Sequence, residues 1–311
     1  MPDAWSSPAE RARAAARGLW HRLPAQRRAL AMETAPARWA YRGIWARPGH
    51  FYSPFPDLEE VAARRASVYG GRSDGLPGID LRSAAQIETL AAIAPLTEDV
   101  PDGPAEGWRY QLDNIPFTWG DGLALAGLLR HLQPRRIVEV GSGWSTRLLL
   151  DVRERELPDL ELTVVDPYPR VSEADAHAAN LLAVPVQDAP LAPFESLEPG
   201  DVLFVDSSHV AKAGSDVTHL YFEVLPRIQP GVIVHVHDVH WPFEYPEAWL
   251  RQGRAWNEAY IVRALVLGGS LDLVLWLSQL AATHPTAIDE HLPRAWRNTG
   301  GSIWTRVAAS G

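Results

Sequence analysis

Up to about residue 108 the apolar positions recur at helical spacing or fall in loops, with no strand rhythm. From about residue 109, short apolar runs alternate with amphipathic stretches. That alternation predicts strands joined by crossover helices, a parallel sheet covered on both faces. The predicted strands are 136–141, 161–166, 182–187, 201–206, 231–237, 271–277 and 302–307, and helices are predicted over 145–155, 215–225 and 255–267. Asp121 is placed to cap a further helix carrying Leu123, Ala126, Leu129 and Leu132 and ending at Pro134. In the first part, Ser7-Pro8-Ala9-Glu10 and Asp57-Leu58-Glu59-Glu60 are capping boxes, a third helix covers 83–94, and an aromatic, proline-rich loop runs from Gly49 to Pro56. The expected organisation is a helical N-terminal extension and linker, 1–108, followed by an α/β domain, 109–311.

Composition narrows the function classes. A chain of 311 residues with 46% hydrophobic and 22% charged residues can bury a full core. There is no cysteine, so no disulfide, and no stretch as apolar as a membrane span or a secretory signal requires. A cytoplasmic location is therefore expected. Residues 1–50 hold nine Arg against Asp3, Glu10 and Glu33, which leaves 20 basic residues (29 minus 9) against 35 acidic (38 minus 3) in the rest. Nucleic acid is thereby excluded as the expected partner of the main domain, and a small molecule takes its place. An oligomer is left open.

The chemistry collects at strand ends. Arg136 to Thr146 is a buried strand running into Gly141-Ser142-Gly143, with Glu139 two residues before the first glycine and Ser145 placed to cap the next helix. Such a turn, at the carboxyl end of a parallel strand, is where open α/β sheets bind ligands. A dinucleotide fingerprint would have a third glycine where Thr146 stands. Asp166 ends the second strand, where nucleoside-binding folds place an acid for the ribose hydroxyls, and Asp188 follows the third. Asp206-Ser207-Ser208-His209 leaves the fourth strand and His235-Val236-His237-Asp238-Val239-His240 the fifth, so four His and two Asp face one cleft. Transfer to an aliphatic hydroxyl needs a base or a Lewis acid, and this block holds side chains of both kinds. His235 sits inside an apolar strand and reads as a core histidine satisfied by one hydrogen bond.

Glu139-x-Gly141-x-Gly143-x-Ser145 resembles the first motif of class I S-adenosylmethionine (SAM) dependent methyltransferases. The resemblance implies a seven-stranded Rossmann-like sheet with an antiparallel final strand and SAM as cofactor. It also implies cofactor contacts from Glu139 at the methionine end, Gly141, Ser142, Gly143 and Ser145 in the turn, Asp166 at the ribose and Asp188 at the adenine. Asp-x-x-His after the fourth strand, with a paired position after the fifth, is similar to the sugar O-methyltransferases that tailor macrolides. That likeness implies a divalent metal, magnesium or manganese, on Asp206, His237 and Asp238, and His209 as general base. The family has a carboxylate where His237 stands, which departs from the all-oxygen set magnesium prefers. The expected activity is O-methylation of a small hydroxylated molecule, a sugar or glycosylated natural product. Two alternatives share the sheet: a non-catalytic partner-binding protein, and a metal-dependent hydroxylase or hydrolase.

Overall fold

A computed structural model describes residues 48–70 and 75–309. The Ser7-Pro8-Ala9-Glu10 capping box and nearly all of the arginine-rich start lie outside those residues. The described residues fall into two compact units, 48–65 with Pro246–Ala255, and 66–70 and 75–245 with 256–309. In the smaller unit, Asp57 caps helix Leu58–Ala63 by accepting from the Glu59 and Glu60 amides, as the sequence predicts. Glu247, in helix Glu247–Arg251, pairs with Arg65 and Arg251, and Arg254 lies over the Trp249 ring.

The larger unit is a seven-stranded sheet between helices, the Rossmann-like methyltransferase architecture. Its strands are β1 (Arg136–Val140), β2 (Glu161–Val165), β3 (Leu181–Leu182), β4 (Val202–Val205), β5 (Ile233–Val236), β6 (Leu271–Trp276) and β7 (Ile303–Val307), in the order β3-β2-β1-β4-β5-β7-β6. β7 runs antiparallel to both β5 and β6, and every other pairing is parallel. β4 and β5 are buried at every position, which explains their unbroken apolar sequences. His235 is the exception in composition but not in burial: it stacks on Phe204 at 3.7 Å, is hydrogen-bonded to the Ser302 hydroxyl at 2.9 Å, and burial holds its pKa well below the ordinary value. It is the neutral core histidine the sequence suggests.

Three local expectations are corrected. The third strand is only two residues long, because Pro185 opens a 3-10 turn, Val186–Asp188, where a strand over 182–187 was expected. Asp121 does not cap helix α2 (Trp119–Leu132), whose N-cap is Thr118; it lies in the first turn and reaches across to another segment. Ser145 does not cap α3 (Trp144–Glu156), whose N-cap is Gly143; its hydroxyl donates back to Glu139.

Residues 66–70 and 75–108 lie in the same unit as the sheet. Helix α1 (Ser83–Ile93) is tied to β6 through Gln86, wholly buried. Its amide donates to Leu81 O and Gln279 Oε1, and its carbonyl accepts from the Trp276 amide at 2.7 Å. Ile93 packs over Gly127 of α2, where a side chain would collide with it.

Candidate active site

Backbone ladder bonds continue past the strand ends and fix the tips side by side. Gly141 N donates to Val165 O (3.0 Å), Asp206 N to Val140 O (2.9 Å) and His237 N to Val205 O (2.9 Å). Gly141 has φ +93°, and a Cβ there would run into the carbonyl of Asp206; Gly143 instead faces open space. The first glycine thus sets how closely the turn lies against β4. The second leaves its backbone open to a ligand.

Glu139 is fully buried beneath this turn. Its oxygens accept from Ser145 Oγ (2.5 Å) and Thr146 Oγ1 (2.7 Å), and Thr146 Oγ1 accepts from Gly143 N (3.0 Å). The acid therefore pins the turn to the start of α3, and both of its oxygens point into that corner. Burial raises its pKa from 4.5 to about 8, against the two hydroxyl bonds, which favour ionisation. A carboxyl raised on folding contributes stability below its unfolded pKa, and that stability is lost as pH rises through the folded value. The stability of the native chain minus that of Glu139→Gln should fall between pH 4.5 and about 8. The drop should be on the order of 3–5 kcal/mol. Denaturant unfolding of both proteins across that range measures it, and parallel curves would rule out the buried acid as the cause.

Ser142 Oγ donates to Asp166 Oδ2 (2.6 Å) and accepts from the Arg170 amide, while Asp166 Oδ1 accepts from the Tyr168 amide. The turn after β1 and the tip of β2 are in this way one hydrogen-bonded unit. Asp188 ends the 3-10 turn with its side chain exposed, and neighbouring Gln187 donates to Gly214 O.

The His/Asp block assembles at the tips of β4 and β5. His209 Nε2 lies 3.5 Å from Asp206 and 3.4 Å from Asp238; His237 Nδ1 lies 3.4 Å from Asp206 and 3.7 Å from Asp238. Each imidazole is backed by a buried carboxylate on its other side: Glu258 Oε2 at 2.9 Å from His209 Nδ1, and Asp121 Oδ2 at 3.6 Å from His237 Nε2. Asp121 is itself held by Gly301 N, Ser302 N and Ser302 Oγ, all on its Oδ1. Phe117 packs 5.2 Å from the His237 ring, and Trp256 lies 4.4 Å from that of His209.

Charge in the block follows from these contacts. Burial works to lower the His209 pKa, but the bonds to Asp206 and Glu258 and the charges of Glu258 and Asp238 push it up to about 10. His237, against the same burial, is raised well above its ordinary value by Asp206, Asp238 and Asp121. Desolvation works to raise Asp206, yet the two imidazoles hold it well below the carboxylate range. His240, with Nε2 4.0 Å from Asp238, goes the other way: burial lowers its pKa and leaves it neutral.

The donor set does not fit the divalent metal implied by the sugar O-methyltransferase likeness. Asp206 and Asp238 face imidazole nitrogens in an ion-paired cluster, and among the described residues no group of three or more His, Asp or Glu side chains is arranged to hold a metal ion. Asp206, His209, His237 and Asp238 are thus brought together. His240, part of the same block in sequence, lies beside Asp238, and Glu258, which the sequence did not single out, joins them. Glu258 carries one legible signal: with Val262 and Val266 it falls on the buried stripe of helix α4 (Glu258–Leu267), a charged residue in a core position.

A family model described as a methyltransferase domain matches residues 138–239. An uncharacterized protein of Archaeoglobus fulgidus is 36% identical over 161 residues, 49% of this chain and 73% of that protein. Among solved structures, the SAH-bound Podospora anserina methyltransferase PaMTH1 superposes with 17% identity and a TM-score of 0.36, covering 83% of this chain and 99% of that one. No helix among the described residues is long and apolar enough to cross a membrane. The stretch matched by the methyltransferase-domain model spans the glycine turn, the Asp166 tip and the tips of β4 and β5 that carry Asp206, His209, His237 and Asp238.

Proposed function

We propose that the protein methylates a hydroxyl oxygen of a small molecule, a sugar or glycosylated natural product, with His209 as general base. The observation that carries this reading is the adjacency of the two halves of the site: the glycine turn and the His/Asp block meet across the single backbone bond from Asp206 N to Val140 O. The bound cofactor supplies an electrophilic methyl on sulfur; the acceptor oxygen forms the new bond to carbon, and the C–S electron pair stays on the departing thioether. Asp166, pre-oriented by Ser142, accepts from the ribose hydroxyls, and Asp188 reads the adenine amino group. Gly141 and Gly143 bring backbone close to the methionine half, and Ser145 acts through Glu139 to hold the turn. Asp206 and Asp238 accept hydrogen bonds from acceptor hydroxyls, and His209 Nε2 takes the proton of the reacting one. His237, held by Asp121, fixes Asp206. These residues need only position the reactants in line and remove one proton.

Calorimetric titration with SAM and with S-adenosylhomocysteine tests the cofactor half. Both should bind without added divalent metal, and Asp166→Ala should weaken both by roughly 10- to 100-fold for each charged hydrogen bond lost. Unchanged affinity in that variant would remove Asp166 from the cofactor site. Thioether release in the presence of hydroxylated sugars and glycosides tests the acceptor half, and a site that turns over only amines or carboxylates would contradict it.

A further inference from the structure

We infer that Glu258 is a positioning residue for His209, and that the start of α4 is a clamp built around that imidazole. The inference deepens the assignment of His209 as base and rests on it. Four contacts converge on one residue. The Asn257 and Glu258 amides donate to the His209 carbonyl at 3.0 and 3.3 Å, His209 Nδ1–H donates to Glu258 Oε2 at 2.9 Å, and Trp256 covers the imidazole face. The side chain of Asn257 brackets the next turn of the loop, accepting from Ala211 N at 2.6 Å and donating to Ala211 O at 3.3 Å. His209 is held at φ +60°, a left-handed conformation that a side chain of this kind adopts only when its surroundings over-determine it.

A purely structural role accounts poorly for this acid. Burying a carboxylate is costly, and an apolar residue on the same stripe as Val262 and Val266 would fill the position without that cost. The acid also faces the buried Tyr221 hydroxyl, and both that hydroxyl and His209 favour its ionised form against burial. What it does accomplish is directional. By engaging Nδ1 it fixes the ring plane and leaves Nε2 as the nitrogen facing Asp206, Asp238 and the cleft.

The test reads the imidazole directly and requires no acceptor. In protein labelled with 15N-histidine, His209 should show a downfield, slowly exchanging Nδ1 proton, assigned by its absence in His209→Asn. Glu258→Gln, which keeps an acceptor but removes the charge, should retain the signal with a smaller downfield shift. Glu258→Leu should accelerate its exchange by at least about tenfold, the factor for one lost charge-assisted hydrogen bond. S-adenosylhomocysteine affinity within about twofold of the native protein confirms that each variant is folded, since loss of one contact at the start of α4 leaves the separate turn after β1 intact. A native exchange rate in folded Glu258→Leu overturns the inference; should that variant not fold, a native shift and rate in Glu258→Gln overturns it instead. Failure of the cofactor titrations would leave this spectroscopic result standing, so the two readings fail separately.

Discussion

His209→Ala should lower turnover by about 100- to 10,000-fold, the usual loss when a general base is removed, while SAM affinity stays within a few-fold of the native value. The separation follows from placement: the imidazole lies at the tip of β4 among Asp206, Asp238 and Glu258, and none of its contacts reaches the Ser142–Asp166 pair. The native enzyme should also show a distinctive pH profile. With three carboxylates facing it and a pKa near about 10, His209 must shed a proton before it can accept one. The kcat/KM should therefore climb about tenfold per pH unit through neutrality and level off near that value. A plateau already reached at neutral pH, together with a full rate in His209→Ala, would transfer the role to His240. That imidazole lies 4.0 Å from Asp238 and stays neutral through burial, so His240→Ala is the companion measurement.

Gly141→Val should abolish cofactor binding and reduce stability, through two costs of order 1–3 kcal/mol each. One is the left-handed φ of +93°, which a β-branched residue resists; the other is the collision of its side chain with the Asp206 carbonyl. Because that carbonyl belongs to the strand carrying the His/Asp block, displacing it disturbs both halves of the site. Chemical denaturation and SAM titration of the variant give the two readouts. A protein of native stability and affinity would show that the turn can move away from β4 freely. The neighbouring position provides a control, since Gly143 faces open space and Gly143→Ala should leave stability within about 0.5 kcal/mol while still weakening cofactor binding.

The sheet was legible because its central strands are covered on both faces and so carry near-continuous apolar runs that end in polar tips. β1, β2, β4 and β5 announce themselves in that way. β3 does not, because two paired residues leave almost no pattern, and Pro185 turns an apparently strand-like Val186-Gln187-Asp188 into a 3-10 turn. The tips of β4 and β5 could be placed together because consecutive parallel strands commonly neighbour each other. The carboxylates behind the histidines could not. Asp121 reads as a helix cap until its partners are known to be Gly301 and Ser302, about half the chain away. Glu258 lies 49 residues beyond His209, and only packing of α4 brings them to 2.9 Å. The metal expectation carried by Asp206, His237 and Asp238 rested on residue types in order; the geometry pairs those acids with imidazole nitrogens instead.

The ladder bond from Asp206 N to Val140 O has a mechanical consequence. Adjacent strands in a sheet keep a spacing of about 4.8 Å with little variation, because changing it breaks backbone bonds in series. The distance between donor turn and proton acceptor is then a property of the sheet, whereas the segments that would grip an acceptor are loops and helix starts. Warming or loop substitution should first loosen capture, seen as a rising KM for the acceptor. The alignment itself, reported by kcat, should hold until the β-sheet begins to melt.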